Sequence, residues 1–226
     1  MVRVKRLLLL SLISSLLLLS AAAPGWTYPL KVGDVISLSN GPGTTNGGEF
    51  KVNMVKPTSS TDIFRTFCLE KNEYFSWDQH LTIKGINDYA TAGGISGGEL
   101  EGKDYLSDET KYLYYHFYKG DLSGYNYSNP VERVYSANAL QEAIWMLEGE
   151  MTEDPTNYFI DYLKKSVVGS QGWTAGLDSV KVLNLYKPDG SKAQDQLTMV
   201  PEPGALLSLG IVLLGLGGVT RRRFKR

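Results

Sequence analysis

The sequence predicts an α+β domain, β-rich toward both ends and helical at its centre, flanked by an apolar segment at each terminus. Three observations lead there. Short runs of alternating or β-branched residues lie before residue 90 and after residue 180. Cap residues and helical periodicity occupy residues 107–169. Leucine-rich stretches with basic flanks open and close the chain. The segregation of strands from helices is the mark of an α+β arrangement.

Residues 1–23, MVRVKRLLLLSLISSLLLLSAAA, have a basic start, an apolar run and small residues at the end. This is the pattern of a secretory signal peptide, with cleavage expected after Ala22. Tyr28–Leu38 has the β-branched content of one or two strands, and Ser39–Gly48 reads as a loop. Glu49–Val55 alternates at Phe50, Val52 and Met54, as a strand does. In the next strand, Asp62–Glu70, alternation puts Phe64, Thr66, Cys68 and Glu70 on one face. A further strand is expected at His80–Ile86, followed by a glycine-rich turn region, TAGGISGGELEG.

Ser107 caps a helix expected to reach Lys119, with Asp108 and Glu109 in its first turn and Gly120 as its stop. Asn129-Pro130 opens a second, with Glu132 placed to complete a capping box, running to Glu148. Asp154-Pro155 starts a third, ended by Gly169. Val180–Tyr186 and Gln194–Val200, joined by a turn around Pro188-Asp189-Gly190, read as a terminal hairpin.

The formal net charge of -1 conceals a segregation. Residues 24–200 hold 23 acidic against 15 basic side chains, whereas the last six residues, RRRFKR, hold five bases. An acidic body of this kind argues against nucleic acid as a partner. One cysteine excludes an intramolecular disulfide, and two histidines leave little for a metal centre. No phosphate loop, serine elbow or acidic calcium loop is present, so neither a cofactor nor a turnover enzyme is expected. The aromatic helix YLYYHFYKG around His116 reads as core packing, with a sugar-stacking platform as its functional alternative.

At the C-terminus, Gly204–Thr220 is apolar for 17 residues, the short limit for a membrane-spanning helix, and is followed by basic residues. Pro201-Glu202-Pro203, this apolar span and Arg221-Arg222-Arg223 together resemble the PEP-CTERM sorting signal. The resemblance implies processing by an exosortase, after a signal peptidase, in a Gram-negative envelope. It implies an inner-membrane-anchored intermediate and then a place on the cell surface or in the extracellular matrix, commonly linked with exopolysaccharide and biofilm. The implied organisation is a signal peptide at 1–22, an extracellular domain at 23–200 and a sorting segment at 201–226.

Cys68 and Gln141 stand out within the domain. An unpaired thiol in an exported protein is a liability unless it is buried, modified or used. A buried structural cysteine is the ordinary reading. Gln141 follows Leu140 and precedes Ile144 and Trp145 by three and four residues, which places its amide on or beside the apolar stripe of the second helix. It is either a core-edge glutamine bonded to a neighbouring strand or an acyl donor to the thiol.

Phe67-Cys68-Leu69-Glu70 and Leu140-Gln141-Glu142-Ala143-Ile144-Trp145 resemble the paired segments of bacterial thioester domains over about residues 50–190. The resemblance implies a β-rich domain with a helical insertion and an internal Cys68–Gln141 thioester, which an amine-bearing surface ligand can open. Glu70 stands where many relatives have Asn or Asp. Phe64, Thr66, Phe67, Ile144 and Trp145 are expected to form the supporting pocket, with the Thr66 hydroxyl a candidate donor to the carbonyl. The alternative function is a structural exopolysaccharide-matrix protein or a non-covalent glycan-binding module.

Overall fold

The computed structural model of the chain describes residues 30–44, 47–91, 94–95 and 101–201. Strands β1 (Val35–Asn40), β2 (Phe50–Lys56), β3 (Ser60–Thr66) and β4 (Leu81–Asn87) come first. A short pair follows, β5 (Tyr89–Thr91) and β6 (Lys103–Tyr105). Helices α1 (Asp108–Lys119), α2 (Pro130–Leu147) and α3 (Tyr158–Tyr162) precede β7 (Val180–Tyr186) and β8 (Gln196–Met199). Six strands form one antiparallel sheet in the order β3-β2-β1-β4-β7-β8, and β5 and β6 form a second. Both sheets are open.

Side-chain alternation explains the main core. Ile36 and Leu38 of β1, Val52 and Met54 of β2, Leu81 and Ile83 of β4 and Leu183 and Leu185 of β7 gather into one apolar cluster. Val180, Val182 and Leu197 belong instead to a cluster shared with the helices. Strand β7 is therefore buried on both sides, which accounts for its nearly continuous apolar sequence.

Each helix begins where a polar side chain can take up free backbone N–H groups. Ser107 Oγ accepts from Thr110 N at 3.1 Å and donates to Glu148 Oε1 at 2.7 Å, tying the start of α1 to the end of α2. Asn129 Oδ1 accepts from Val131 and Glu132 N at 3.0 and 3.3 Å. The Glu132 carboxylate bonds the Asn126 side chain rather than closing the expected capping box. α3 starts later than Asp154-Pro155 suggested, because Asn157 supplies the cap. The helical path then continues as a π-helical turn at Leu163–Val167. Leu113, Tyr114 and Phe117 of α1 and Leu140 and Ile144 of α2 are buried in the shared cluster, so the aromatic helix largely packs a core.

Several expectations are corrected. The fold is a mixed α+β one, with two open sheets and three short helices, rather than a β-rich domain with a helical insertion and a membrane helix at its end. Among the described residues no helix is long and apolar enough to cross a membrane. The longest, α2, has 18 residues and carries Glu132, Arg133 and Glu142, so it suits a protein interior with one wet side. The expected signal peptide (1–22), and Glu202, Pro203, the span 204–220 and Arg221–Arg223, lie outside the described residues; Pro201 is the last described residue. The described residues give no support to the expected membrane contact, the inner-membrane-anchored intermediate or the surface or matrix destination, nor to the exosortase and signal peptidase as partners.

Packing makes a direct prediction. Leu113 is fully buried in the shared cluster, whereas Val131, the second residue of α2, is 65% exposed. Leu113→Ala should cost about 2–5 kcal/mol in urea unfolding, and Val131→Ala less than about 0.5 kcal/mol. Equal losses would contradict this placement of the core.

Candidate functional site

Strand β3 leaves its ladder at Thr66, which pairs with Phe50 of β2. The chain then crosses to the opposite edge of the sheet, where Cys68 forms an isolated antiparallel bridge with Gln196. Leu197 N donates to Phe67 O at 3.1 Å and Leu69 N to Asp195 O at 3.2 Å. Residues 67–69 thus lie along β8, and Cys68 sits where the two edges meet. Its thiol is free and fully buried.

Helix α2 brings Gln141 to the same place, also with no exposed surface. Gln141 Oε1 accepts from Gly48 N at 2.6 Å and Cys68 N at 3.2 Å, and the Cys68 Sγ lies 3.4 Å from it in hydrogen-bonding geometry. Gln141 Nε2 donates to Cys68 O at 2.8 Å. The carboxamide therefore pairs with the Cys68 backbone as a strand would, while its carbonyl oxygen rests on two backbone N–H groups. Two fixed donors on a carbonyl oxygen form the arrangement that stabilises a tetrahedral intermediate.

The approach of the 47–48 segment requires glycine. A Cβ on Gly47 would stand 2.5 Å from Gln141 Cγ and 2.7 Å from Trp145 Cζ2. One on Gly48 would stand 2.6 Å from Phe67 Cδ1 and 2.7 Å from Thr66 O. Next to them, Glu49 is buried with its carboxylate bonded on every side. Arg65 Nη1 donates to it at 2.9 Å, Arg133 Nη2 at 2.7 Å, Arg133 Nε at 3.0 Å and the Tyr125 hydroxyl at 2.5 Å.

The five residues expected to support Cys68 go to different places. Trp145 packs with Cys68 and Phe50 in a small cluster of its own, joined by Phe75 and Met151. Phe67 and Ile144 belong to the helix-side core, where the Phe67 and Phe117 rings meet edge to face at 4.9 Å. Phe64 lies in the other sheet cluster, away from the thiol, because strand alternation no longer applies once the chain leaves the ladder. The Thr66 hydroxyl is 2.6 Å from Leu197 O and donates there, so the carbonyl donors are the Gly48 and Cys68 backbone groups instead. Gly47, Gly48, Glu49 and Phe50 were not legible as site residues; the adjacent Gly47-Gly48 pair before a strand was the available signal. His80 is exposed, and His116 Nδ1 lies 2.8 Å from Asp121 Oδ1. Among the described residues no group of acids, histidines and cysteine could hold a metal ion.

Burial, then the negative field of Glu70, pushes the Cys68 thiol far above its ordinary range, against the smaller opposing pull of the Gly48 backbone and the Trp145 indole. Glu70 is itself buried. Its Oε2 accepts from Asp195 N at 2.9 Å, while its Oε1 has no partner. Burial, then Asp195 and Glu73, holds Glu70 well above the usual carboxylate range. Burial likewise raises Asp195 to about 6, against hydrogen bonds from Thr91, Asn184 and Leu185. Burial and then Asp195 raise Glu73 to about 7.

Two predictions follow from these contacts. Gly47→Ala forces a methyl group into Gln141 and Trp145 and should cost about 1–3 kcal/mol in thermal or urea unfolding. A wild-type midpoint would mean that the 47–48 segment yields freely. The acids give a pH dependence of definite sign. A carboxyl whose folded pKa is raised favours folding fully below its unfolded value, and that contribution is lost as pH rises through the folded value. Because burial, then Asp195 and Glu73, hold Glu70 well above the usual carboxylate range, Glu70→Gln should raise the melting temperature relative to wild type at pH 8 more than at pH 4.5. A difference that is flat with pH would contradict it.

No known protein-family model, no curated protein and no solved structure matches this chain.

Proposed function

We propose that this protein is a single-use covalent binder whose Cys68 and Gln141 condense to an internal thioester, later opened by an amine-bearing partner. The observation that supports this most is the Gln141 carboxamide held against the Cys68 backbone, with its oxygen on the Gly48 and Cys68 N–H groups and 3.4 Å from the thiol sulfur. In the condensation Sγ attacks the side-chain carbonyl carbon, the S–C bond forms, and the C–N bond breaks. The thiol proton ends on the departing nitrogen, which leaves as ammonia. An incoming primary amine then attacks the same carbon, leaving a secondary amide at Gln141 and a free thiol at Cys68.

Two effects favour the first step. Enclosure replaces a bimolecular encounter, where effective molarities for well-placed groups reach about 10⁵ M or more. Each backbone donor on the developing oxyanion contributes about 10²–10³-fold. One effect opposes it: the raised thiol leaves little thiolate at neutral pH, so proton transfer must accompany attack. Burial of the site slows hydrolysis once the bond exists. The complete burial of both residues also favours a second reading, in which the crosslink serves only as a staple. Closing a loop of 73 residue steps would, by analogy with disulfides, stabilise the fold by about 4 kcal/mol.

Intact mass of freshly purified protein tests the proposal. The crosslink predicts a deficit of about 17 Da, from loss of ammonia, which Cys68→Ala and Gln141→Ala each abolish. Full mass with a freely titratable thiol would sink it. Methylamine should then add about 31 Da to the crosslinked species at Gln141. A mass deficit that survives prolonged methylamine would leave the staple as the function.

A further inference from the structure

We infer that Glu49 is a positioning residue for the acyl-transfer site, holding the Gly48 N–H on the Gln141 carbonyl oxygen. This rests on the thioester reading above and concerns how that site is kept in register.

The Gly48 N–H donates to Gln141 Oε1 at 2.6 Å, the shortest bond that oxygen receives. It belongs to a Gly-Gly pair, the least restrained backbone a chain can contain, and both glycines are required by close contact with Gln141, Trp145 and Phe67. The segment therefore cannot be stiffened by side chains of its own. The residue that follows supplies the restraint. The Glu49 carboxylate is bound to Arg133 through Nε at 3.0 Å and Nη2 at 2.7 Å, a two-nitrogen grip of fixed direction. Arg133 lies two turns before Gln141 on α2, so one rigid helix carries both the acyl donor and the group that holds its oxyanion donor.

Two further contacts fix the other side. Arg65 on β3 reaches Glu49 Oε1 at 2.9 Å and grips Asp62 at 2.6 and 2.8 Å. The Tyr125 hydroxyl reaches Glu49 Oε2 at 2.5 Å, and Arg133 also donates to Tyr127 O at 2.9 Å. Glu49 thus ties the glycine pair to the sheet, to α2 and to the loop between α1 and α2. A displacement of about 1 Å at a reacting centre costs on the order of 10²-fold in rate, and loss of one oxyanion donor costs a similar factor. The Glu49 carboxylate bonds Arg65, Arg133 and Tyr125 rather than Cys68 Sγ or the Gln141 amide. Its effect passes through the Gly48 backbone.

The test compares purified full-length wild type, Glu49→Gln, Tyr125→Phe and Leu183→Ala, each at a temperature where circular dichroism reports it folded. Leu183 is buried in the separate sheet cluster and serves as a control for lost stability alone. The readouts are the fraction of fresh protein with the ammonia-sized mass deficit and the rate of methylamine uptake by that fraction. Glu49→Gln keeps the shape but loses the charge that holds both arginines. It should lower the crosslinked fraction and slow methylamine uptake about 10- to 100-fold. Tyr125→Phe should slow uptake several-fold. Leu183→Ala should lower the melting temperature yet react at the wild-type rate.

Folded Glu49→Gln with wild-type yield and rate would overturn the positioning role. So would a Leu183→Ala rate slowed in proportion to its lost stability. Should Glu49→Gln fail to fold, Tyr125→Phe decides, and a wild-type rate there overturns the inference. Wild-type protein without the mass deficit sinks the thioester reading first and this inference with it. A deficit in wild type that Glu49→Gln leaves untouched sinks only the latter.

Discussion

A carboxamide with no exposed surface must have its polar atoms met by the protein, and Gln141 bonds to the main chain at Gly48 and Cys68. That demand links three parts far apart in sequence: the glycine pair before β2, the segment after β3 and the middle of α2. Displacing any one strands a donor or an acceptor in a dry interior, at a cost of about 1–3 kcal/mol for each group left unpaired. The register of the helix against the sheet edge follows from this small set of bonds more directly than from apolar packing, which tolerates sliding.

Charge balance supports the same junction. Glu49 and Asp62 face Arg65 and Arg133, two charges of each sign, with Glu49 wholly enclosed and the arginines partly wet. Buried ion pairs gain little over well-packed apolar groups, but removal of one member leaves an uncompensated charge and costs far more. Their value here is directional, since guanidinium groups bind a carboxylate in a fixed plane. Glu70 and Asp195 are of opposite character: two buried acids, the first held well above the usual carboxylate range by burial and then by the field of the second, with one Glu70 oxygen unpartnered. The site is thus held firmly from the Glu49 side and carries an unpartnered buried oxygen on the Glu70 side.

Local signals in the sequence reached as far as local physics does. Ser107, Asn129 and Gly120 mark helix ends because capping depends on the residue itself, and β7 is legible from its apolar run. Cys68 and Gln141 stood out through composition and motif. Phe64 did not join them, because alternation describes a strand only while it stays in its ladder, and β3 ends at Thr66. The Thr66 hydroxyl was a natural candidate for the carbonyl, yet in the fold it donates to Leu197 O. Backbone donors carry no residue label, so Gly48 was invisible as chemistry although its neighbour Gly47 advertised a tight approach. The β5–β6 pair lay hidden because its strands are three residues each and flank a glycine-rich stretch.

The position of Cys68 at the meeting of two sheet edges has a mechanical side. Tension applied along the chain from residue 30 to residue 201 would ordinarily extend everything between. With Cys68 and Gln141 covalently joined, the load path would pass from the first sheet strands across that bond into the latter half of α2. The intervening 73 steps would carry no force. At about 3.4 Å per residue, roughly 250 Å of contour would be withheld from stretching. Helix α1, strand β4 and the small second sheet would then stay folded under a pull that drew out both flanks, and opening by an amine would restore the full length.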